Sequence, residues 1–191
     1  KSMMEETVLP ELEKMSPNEL TITNIRTTGV MESQLHDLLE PAMEESAVNI
    51  AFLPGFSGVD LRLTAGDESA VAEFASNIYD LAGKYIYAED WVTLEQSVGE
   101  SLREKGLMMA LAESCTGGLL GDRITDVPGS SEYFAGSVIC YSDKAKINLV
   151  GVKSETLKKY GAVSEETAAE MAAGVRKVFD ADIGVSITGI A

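Results

Sequence analysis

Residues 107–118 place the strongest constraint on how this chain folds. An apolar run, Leu107-Met108-Met109-Ala110-Leu111-Ala112, leads into Glu113-Ser114-Cys115-Thr116-Gly117-Gly118, and an apolar-periodic segment follows. That order reads as strand, hydroxyl-rich turn and helix start. Two adjacent glycines let a backbone approach a ligand closely, and unpaired N–H groups at a helix start attract anions. Ser114 stands at the strand exit, where α/β proteins place reactive groups. The competing reading is an ordinary Thr-Gly-Gly turn that starts a helix.

The rest of the second half supports a layered arrangement around that strand. Thr93-Leu94-Glu95-Gln96 is a capping-box pattern opening a helix with Leu94, Val98 and Leu102 inward, ended by Gly106. Residues 124–131 read as a helix end and loop, and residues 134–141 as an apolar strand. A short helix leads to Gly151-Val152. Another helix starts near Ser164, with Glu165 and Glu166 in its first turn and Ala168, Met171, Ala172, Val175 and Phe179 on its inner stripe. Residues 183–188 form a buried-type strand three residues before the chain stops at Ala191. Alternating strands and helices imply a mainly parallel, layered α/β domain, expected to be incomplete at its C-terminus.

The first half reads differently. Residues 1–18 hold Pro10 and Pro17, which argue against one continuous helix, and are expected to be a linker or the remnant of an upstream domain. A strand is expected at residues 20–26. A helix follows, carrying Leu35, Leu38, Leu39, Ala42 and Met43, with a kink or break at Pro41. Strands at residues 49–53 and 59–65 flank Pro54-Gly55-Phe56-Ser57-Gly58, and Val59, Leu61, Leu63 and Ala65 alternate with polar neighbours. A helix over residues 68–85, with Asp67 as N-cap, completes a β-α-β-β-α unit with its helices on one sheet face. Residues 88–92 read as the link. The domains are thus residues 19–91 and 92–191.

Charge separates the halves again. Residues 1–92 hold 5 basic against 17 acidic residues, a net of −12, and residues 93–191 hold 10 against 14, a net of −4. The first half is expected to repel phosphate backbones and anionic membranes. Gly55-Phe56-Ser57-Gly58 has the letters of the Gly-x-x-Gly loop that clamps RNA in KH domains, but there the loop joins two helices. Between two strands in an acidic half it reads as a hairpin turn. No apolar run approaches a membrane span, and Cys115 and Cys140 make no secreted disulfide framework, so a reducing cytoplasm is the expected compartment.

Absences narrow the chemistry. His36 is the single histidine, on a polar helix face of the first domain, so the second domain has no Ser-His-Asp triad and no His-rich metal site. Neither a Gly-x-x-x-x-Gly-Lys-Ser/Thr loop nor a Gly-x-Gly-x-x-Gly fingerprint is present. Zinc is disfavoured by two isolated cysteines. What remains is a serine activated by lysine. Lys144 and Lys146 follow the strand at residues 134–141, whose end would lie beside Ser114 in a parallel sheet; spacing alone does not choose between them. Tyr141 is a candidate proton relay or hydrogen-bond donor. Cys115 as nucleophile ranks below Ser114, because it lacks a histidine partner and a small buried cysteine is the commoner occurrence.

Several segments together resemble one family. They are residues 112–118, Pro128-Gly129-Ser130-Ser131 with Tyr133-Phe134, Tyr141-Ser142-Asp143 with Ala145-Lys146, Leu149-Val150-Gly151-Val152, Gly161-Ala162-Val163-Ser164 and Thr188-Gly189-Ile190-Ala191. This set is similar to the C-terminal domain of the CinA family, the nicotinamide-nucleotide amidase or competence/damage-inducible proteins, and the acidic first half resembles that family's KH-like middle domain. The resemblance implies hydrolysis of the amide of nicotinamide mononucleotide to nicotinic acid mononucleotide and ammonia, with no metal or other cofactor. It implies Ser114 as nucleophile, Lys146 as base, and Tyr141 and Thr188 as catalytic neighbours. Thr116, Gly117, Gly118, Ser130, Ser131 and Gly189 would contact substrate, with the N–H groups of residues 116–118 holding the oxyanion.

The family continues past Thr-Gly-Ile-Ala into a Gly-Pro-Gly-Gly type segment and carries an upstream nucleotide-processing domain. The chain is therefore expected to be cut at both ends, with a site incomplete on its own. The expected partner is the small-molecule substrate, in a homo-oligomer, without nucleic acid or membrane. Two other function classes stand beside the amidase: a non-catalytic nucleotide-binding or regulatory module, and nucleic-acid binding through the first domain, which its charge opposes.

Overall fold

Antiparallel pairing organises the first of the two units into which the chain divides, Lys1–Leu94 and Glu95–Ala191. The structure, a computed structural model, describes residues 3–15, 20–44 and 46–190. Strands β1 (Thr21–Thr27), β2 (Asn49–Gly55), β3 (Gly58–Ala65) and β4 (Ile86–Glu89) form one sheet in the order β2-β3-β1-β4. Val59, Leu61 and Leu63 of β3 turn inward and are buried, as the period-2 pattern requires. They meet Leu35 and Leu39 of α2 (Glu32–Glu44) and Val71, Phe74 and Ile78 of α3 (Glu68–Ala82) in one core with Ile25. Asp67 caps α3, its carboxylate accepting from the Ser69 amide at 2.9 Å. Gly55 and Gly58 face each other across the β2–β3 turn, so the Gly-x-x-Gly letters lie in a hairpin.

Several expectations for this unit need correction. Pro41 does not break α2, which runs on to Glu44. It sits near the C-terminal end, and buried Leu35 and Leu39 hold the helix on the sheet. Pro10 does not interrupt the N-terminal helix either. A π-type turn (Met4–Val8), closed by Leu9 N–H donating to Met4 O, runs into α1 (Leu9–Met15), and Pro10 falls in the first turn of α1, where proline is tolerated. Pro17 lies outside the described residues. Of residues 88–92, expected as the link, Ala88 and Glu89 belong instead to β4, paired with β1 through Ile25↔Glu89 and Arg26↔Ala88; four residues are too few to show a period. The long helix stops at Ala82 and a single 3-10 turn, Gly83–Tyr85, leads into β4.

The second unit is a parallel sheet in the order β6-β5-β7, from β5 (Met109–Glu113), β6 (Phe134–Ile139) and β7 (Ile183–Ile187). Every residue of the central strand β5 is buried, because helical layers cover both faces. Its side chains alternate between two cores. Ala110 and Ala112 join Cys140, Val150, Val152, Met171 and Val175; Met109 and Leu111 join Leu102, Ile124 and Tyr133. The first layer comes from α6 (Asp143–Val150) and α8 (Glu165–Val178), the second from α4 (Leu94–Lys105) and α5 (Leu119–Thr125). Gly106, at φ +62, ends α4: its amide donates to Arg103 O and the Leu107 amide to Leu102 O, a Schellman closure. A further helix, α7 (Ser154–Tyr160), lies in a stretch for which the sequence predicts no element. The layered α/β class holds. Among the described residues no helix is long and apolar enough to cross a membrane.

Candidate active site

Alternation along β5 decides which side chains face which layer. Extending Ala110 and Ala112 by two residues points Ser114 toward the α6 layer, while Met109 and Leu111 put Glu113 on the α5 side. Backbone bonds tie the three strand ends together there: Ser114 N–H donates to Ile187 O at 2.9 Å and Cys140 N–H to Glu113 O at 2.8 Å. Helix α6 starts immediately beyond β6, its N-cap Ser142 Oγ accepting from the Ala145 amide at 3.2 Å. This start turns Lys146 inward and leaves Lys144 exposed, which settles what spacing left open.

Lys146 is 1% exposed and Ser114 5%. Lys146 Nζ lies 2.9 Å from Ser114 Oγ, 3.0 Å from Cys140 O and 3.2 Å from Tyr141 O. Among the described residues no carboxylate pairs with it. A carbonyl oxygen can only accept, so two of the three directions around Nζ require N–H. The third faces a hydroxyl, which both donates and accepts. As an ammonium, Lys146 donates to Ser114 Oγ. As a free amine it keeps both carbonyl bonds, and its lone pair is left facing the Ser114 proton. The geometry thus fits a nucleophile and a general base within hydrogen-bond reach, with the base oriented by two main-chain groups.

The start of α5 is occupied by the protein itself. Glu113 is fully buried. Its Oε2 accepts from Thr116 Oγ1 at 2.8 Å and the Leu120 amide at 2.9 Å, and its Oε1 from the Gly121 amide at 2.9 Å and Ser137 Oγ at 3.1 Å. Burial alone would raise the Glu113 pKa, but these four donors outweigh it and leave the carboxyl below its ordinary value. Sequence reasoning gave Glu113 no role. The available signal was an acid closing an otherwise apolar strand with both faces covered.

Amides at the helix start, where the sequence suggested an anion site, are therefore taken up by Glu113. The Gly117 amide donates to Ser114 O and the Leu119 amide to Thr116 O. Among the described residues, the N–H groups of Cys115, Thr116 and Gly118 have no acceptor. Gly117 and Gly118 have φ of +60 and +107, values that side chains other than glycine rarely adopt, and the turn they shape directly follows Ser114 in the chain.

The remaining expected site residues fall into two groups. Thr188 follows Ile187, the residue bonded to Ser114, but its Oγ1 donates to Ala162 O at 2.7 Å and so fastens the loop at residues 161–164. Gly189 packs against Cys115, whose Sγ would lie 3.1 Å from an added Cβ. Tyr141 contributes its carbonyl to Lys146, and its side chain is 67% exposed. Thr116 spends its hydroxyl on Glu113.

Ser130 and Ser131 are not brought to this cluster. They form a 3-10 turn before β6, next to Tyr133, whose carbonyl accepts from the Met109 amide at the opposite end of β5. At about 3.3 Å per residue, that end lies roughly 13 Å away along the strand. Their glycine- and serine-rich letters had suggested a ligand loop; here they make a turn feeding a strand from its far end. Cys140 is buried, and burial pushes its thiol up while Lys146 pulls the other way; both cysteines are unpaired.

Comparisons with known proteins agree with this architecture. Residues 92–191 match the family model for the CinA C-terminal domain, and residues 23–88 that for the KH domain of damage-inducible protein CinA. A putative competence-damage inducible protein of Halothermothrix orenii is 45% identical over 197 residues, covering 100% of this chain and 48% of the relative. A CinA-like protein of Chlorobium limicola is 47% identical over 199 residues, covering 99% and 46%. The chain thus spans about half the length of the curated relatives it matches. Among solved structures, the competence/damage inducible protein CihA of Agrobacterium tumefaciens superposes with a TM-score of 0.50 at 39% identity, over 51% of this chain and 59% of that one. A competence or damage-inducible protein of Enterobacter asburiae gives 0.50 at 38%, over 50% and 60%.

Proposed function

The chain belongs to the CinA family, and from that premise we propose that Ser114 and Lys146 hydrolyse the carboxamide of nicotinamide mononucleotide, giving nicotinic acid mononucleotide and ammonia. The observation that carries this reading is the buried 2.9 Å contact between Lys146 Nζ and Ser114 Oγ, with the other two directions of Nζ taken by main-chain carbonyls. Ser114 Oγ attacks the amide carbon while Lys146 takes its proton. The carbonyl oxygen gains charge and is held by free amides of residues 115–118. Lys146 returns the proton to the departing nitrogen, which leaves as ammonia, and an acyl ester remains on Ser114. Water, deprotonated by Lys146, then cleaves the ester and restores the hydroxyl. No step calls on a metal. The same reading takes the substrate as the chief partner of a homo-oligomer working in the cytoplasm, where two unpaired cysteines stay reduced.

The test is product analysis on the protein that carries this chain at its natural length. Incubation with nicotinamide mononucleotide should release ammonia and the acid mononucleotide in equal amounts, and Ser114→Ala, still folded by circular dichroism, should release neither. Undiminished turnover by Ser114→Ala would sink the assignment. Tight binding with no product from the unaltered protein would turn the reading to a non-catalytic nucleotide-binding module.

A further inference from the structure

We infer that Glu113 and Thr116 are positioning residues: the buried Glu113 carboxylate, clasping the Thr116 hydroxyl and the first amides of α5, holds the turn whose free amides receive the oxyanion. The inference rests on Ser114 being the nucleophile. Glu113 directly precedes Ser114, yet its side chain leaves on the opposite face of β5, so it touches neither Ser114 Oγ nor Lys146. Its bonds reach forward instead. Oε2 binds the Thr116 hydroxyl within the turn and the Leu120 amide beyond it; Oε1 binds the Gly121 amide in α5 and the Ser137 hydroxyl on β6. One rigid group thereby fixes the two ends of residues 114–121 against each other and against the neighbouring strand.

The glycines make such a clasp necessary. Gly117 and Gly118 supply a conformation other residues avoid, but the same freedom lets the turn collapse into many others. An amide serves an oxyanion only when aimed before reaction, and a misplacement of about 1 Å costs on the order of 100-fold. The two hydroxyls and two amides around Glu113 are all donors, and a carboxylate is the group of this size that accepts from four donors at once. Glutamine places an NH2 where an oxygen stood, facing either the Leu120 or the Gly121 amide donor to donor. The clasp also occupies the start of α5 with the protein's own anion, so α5 does not hold the substrate's phosphate.

The test measures labelling of Ser114 by a fluorophosphonate, which needs an activated serine and an oxyanion site but no particular substrate. In the protein carrying the full chain, Glu113→Gln should slow labelling by about 10- to 100-fold, with far-UV circular dichroism unchanged at the assay temperature. Thr116→Val, which removes one clasp bond while keeping shape, should slow it by roughly 10-fold. The double variant should be little slower than Glu113→Gln alone, because both act through one bond. In turnover of nicotinamide mononucleotide, both variants should lose kcat, expressed per folded protein so that loss of fold stability does not enter it, with KM within about threefold of the unaltered protein. Labelling of both variants at the unaltered rate overturns the positioning role while leaving the nucleophile intact. Labelling as predicted without turnover of nicotinamide mononucleotide overturns the substrate assignment and leaves the positioning role standing. No labelling of Ser114 in the unaltered protein overturns both.

Discussion

Replacing Glu113 by alanine tests the buried carboxylate as a structural group. The change strands two main-chain donors at the start of α5, the Gly121 amide, which is buried, and the Leu120 amide, which is partly so. An orphaned buried donor costs about 1–3 kcal/mol, so two give about 2–6 kcal/mol; relief from keeping a charge buried offsets part of that, while the Thr116 and Ser137 hydroxyls can rotate to other acceptors. A net loss of about 2–4 kcal/mol is expected at neutral pH, a large share of a domain's usual margin of about 5–15 kcal/mol.

The pH dependence carries a definite sign. Glu113 has a folded-state pKa below the ordinary 4.5. Its ionisation therefore contributes stability that is fully present above 4.5 and is lost as pH falls through the folded value. The gap between unaltered and Glu113→Ala proteins should be widest near neutrality and narrow below pH 4.5. Urea unfolding followed by far-UV circular dichroism, with hydrogen exchange at Leu120 and Gly121 to assign the loss to this unit, reads both effects. A neutral-pH loss under about 1 kcal/mol, or a gap that widens on acidification, would refute the reasoning.

Two further outcomes follow from packing and from which lysine turns inward. Gly99 of α4 lies under the buried Tyr133 ring, and an added Cβ would run into the phenol oxygen well inside van der Waals contact; Gly99→Ala should cost about 1–3 kcal/mol of stability in urea unfolding, largely recovered by adding Tyr133→Leu, and an unchanged stability would contradict the packing. Lys144 is exposed and Lys146 buried, so Lys144→Ala should retain ammonia release from nicotinamide mononucleotide while Lys146→Ala loses about 100-fold or more; the reverse order would contradict the placement of α6.

What was legible in the sequence, and what was not, follows from the range of each signal. The turn at residues 112–118, the alternation of β3, the N-cap Asp67 and the helix start near Ser164 are local patterns, and all appear as read. Spacing left Lys144 and Lys146 open and the family resemblance alone pointed to Lys146; what turns it inward is the rotation of α6 about its axis, set by Ser142 capping the helix and by the resulting inward position four residues on. The pairing of β4 with β1 depends on a distant partner that no four-residue stretch reveals. Ser130 and Ser131 had suitable letters, but their position is fixed by which end of β6 they feed. Glu113 was hidden for the opposite reason: its letter suggests surface, and only a sheet covered on both faces, with four donors converging from three elements, makes a buried acid the stable choice. Pro10 and Pro41 show a general rule failing locally, since one falls in a first turn and the other near a helix end.

The central claim is that Ser114 and Lys146 act as one unit, and a double-variant cycle on turnover of nicotinamide mononucleotide tests it most directly. Ser114→Ala, Lys146→Met and the double variant should each lose about the same large factor, because removing either member of a nucleophile–base pair already disables the other. Losses that multiply in the double variant would mean that the two residues act independently, and would contradict the account.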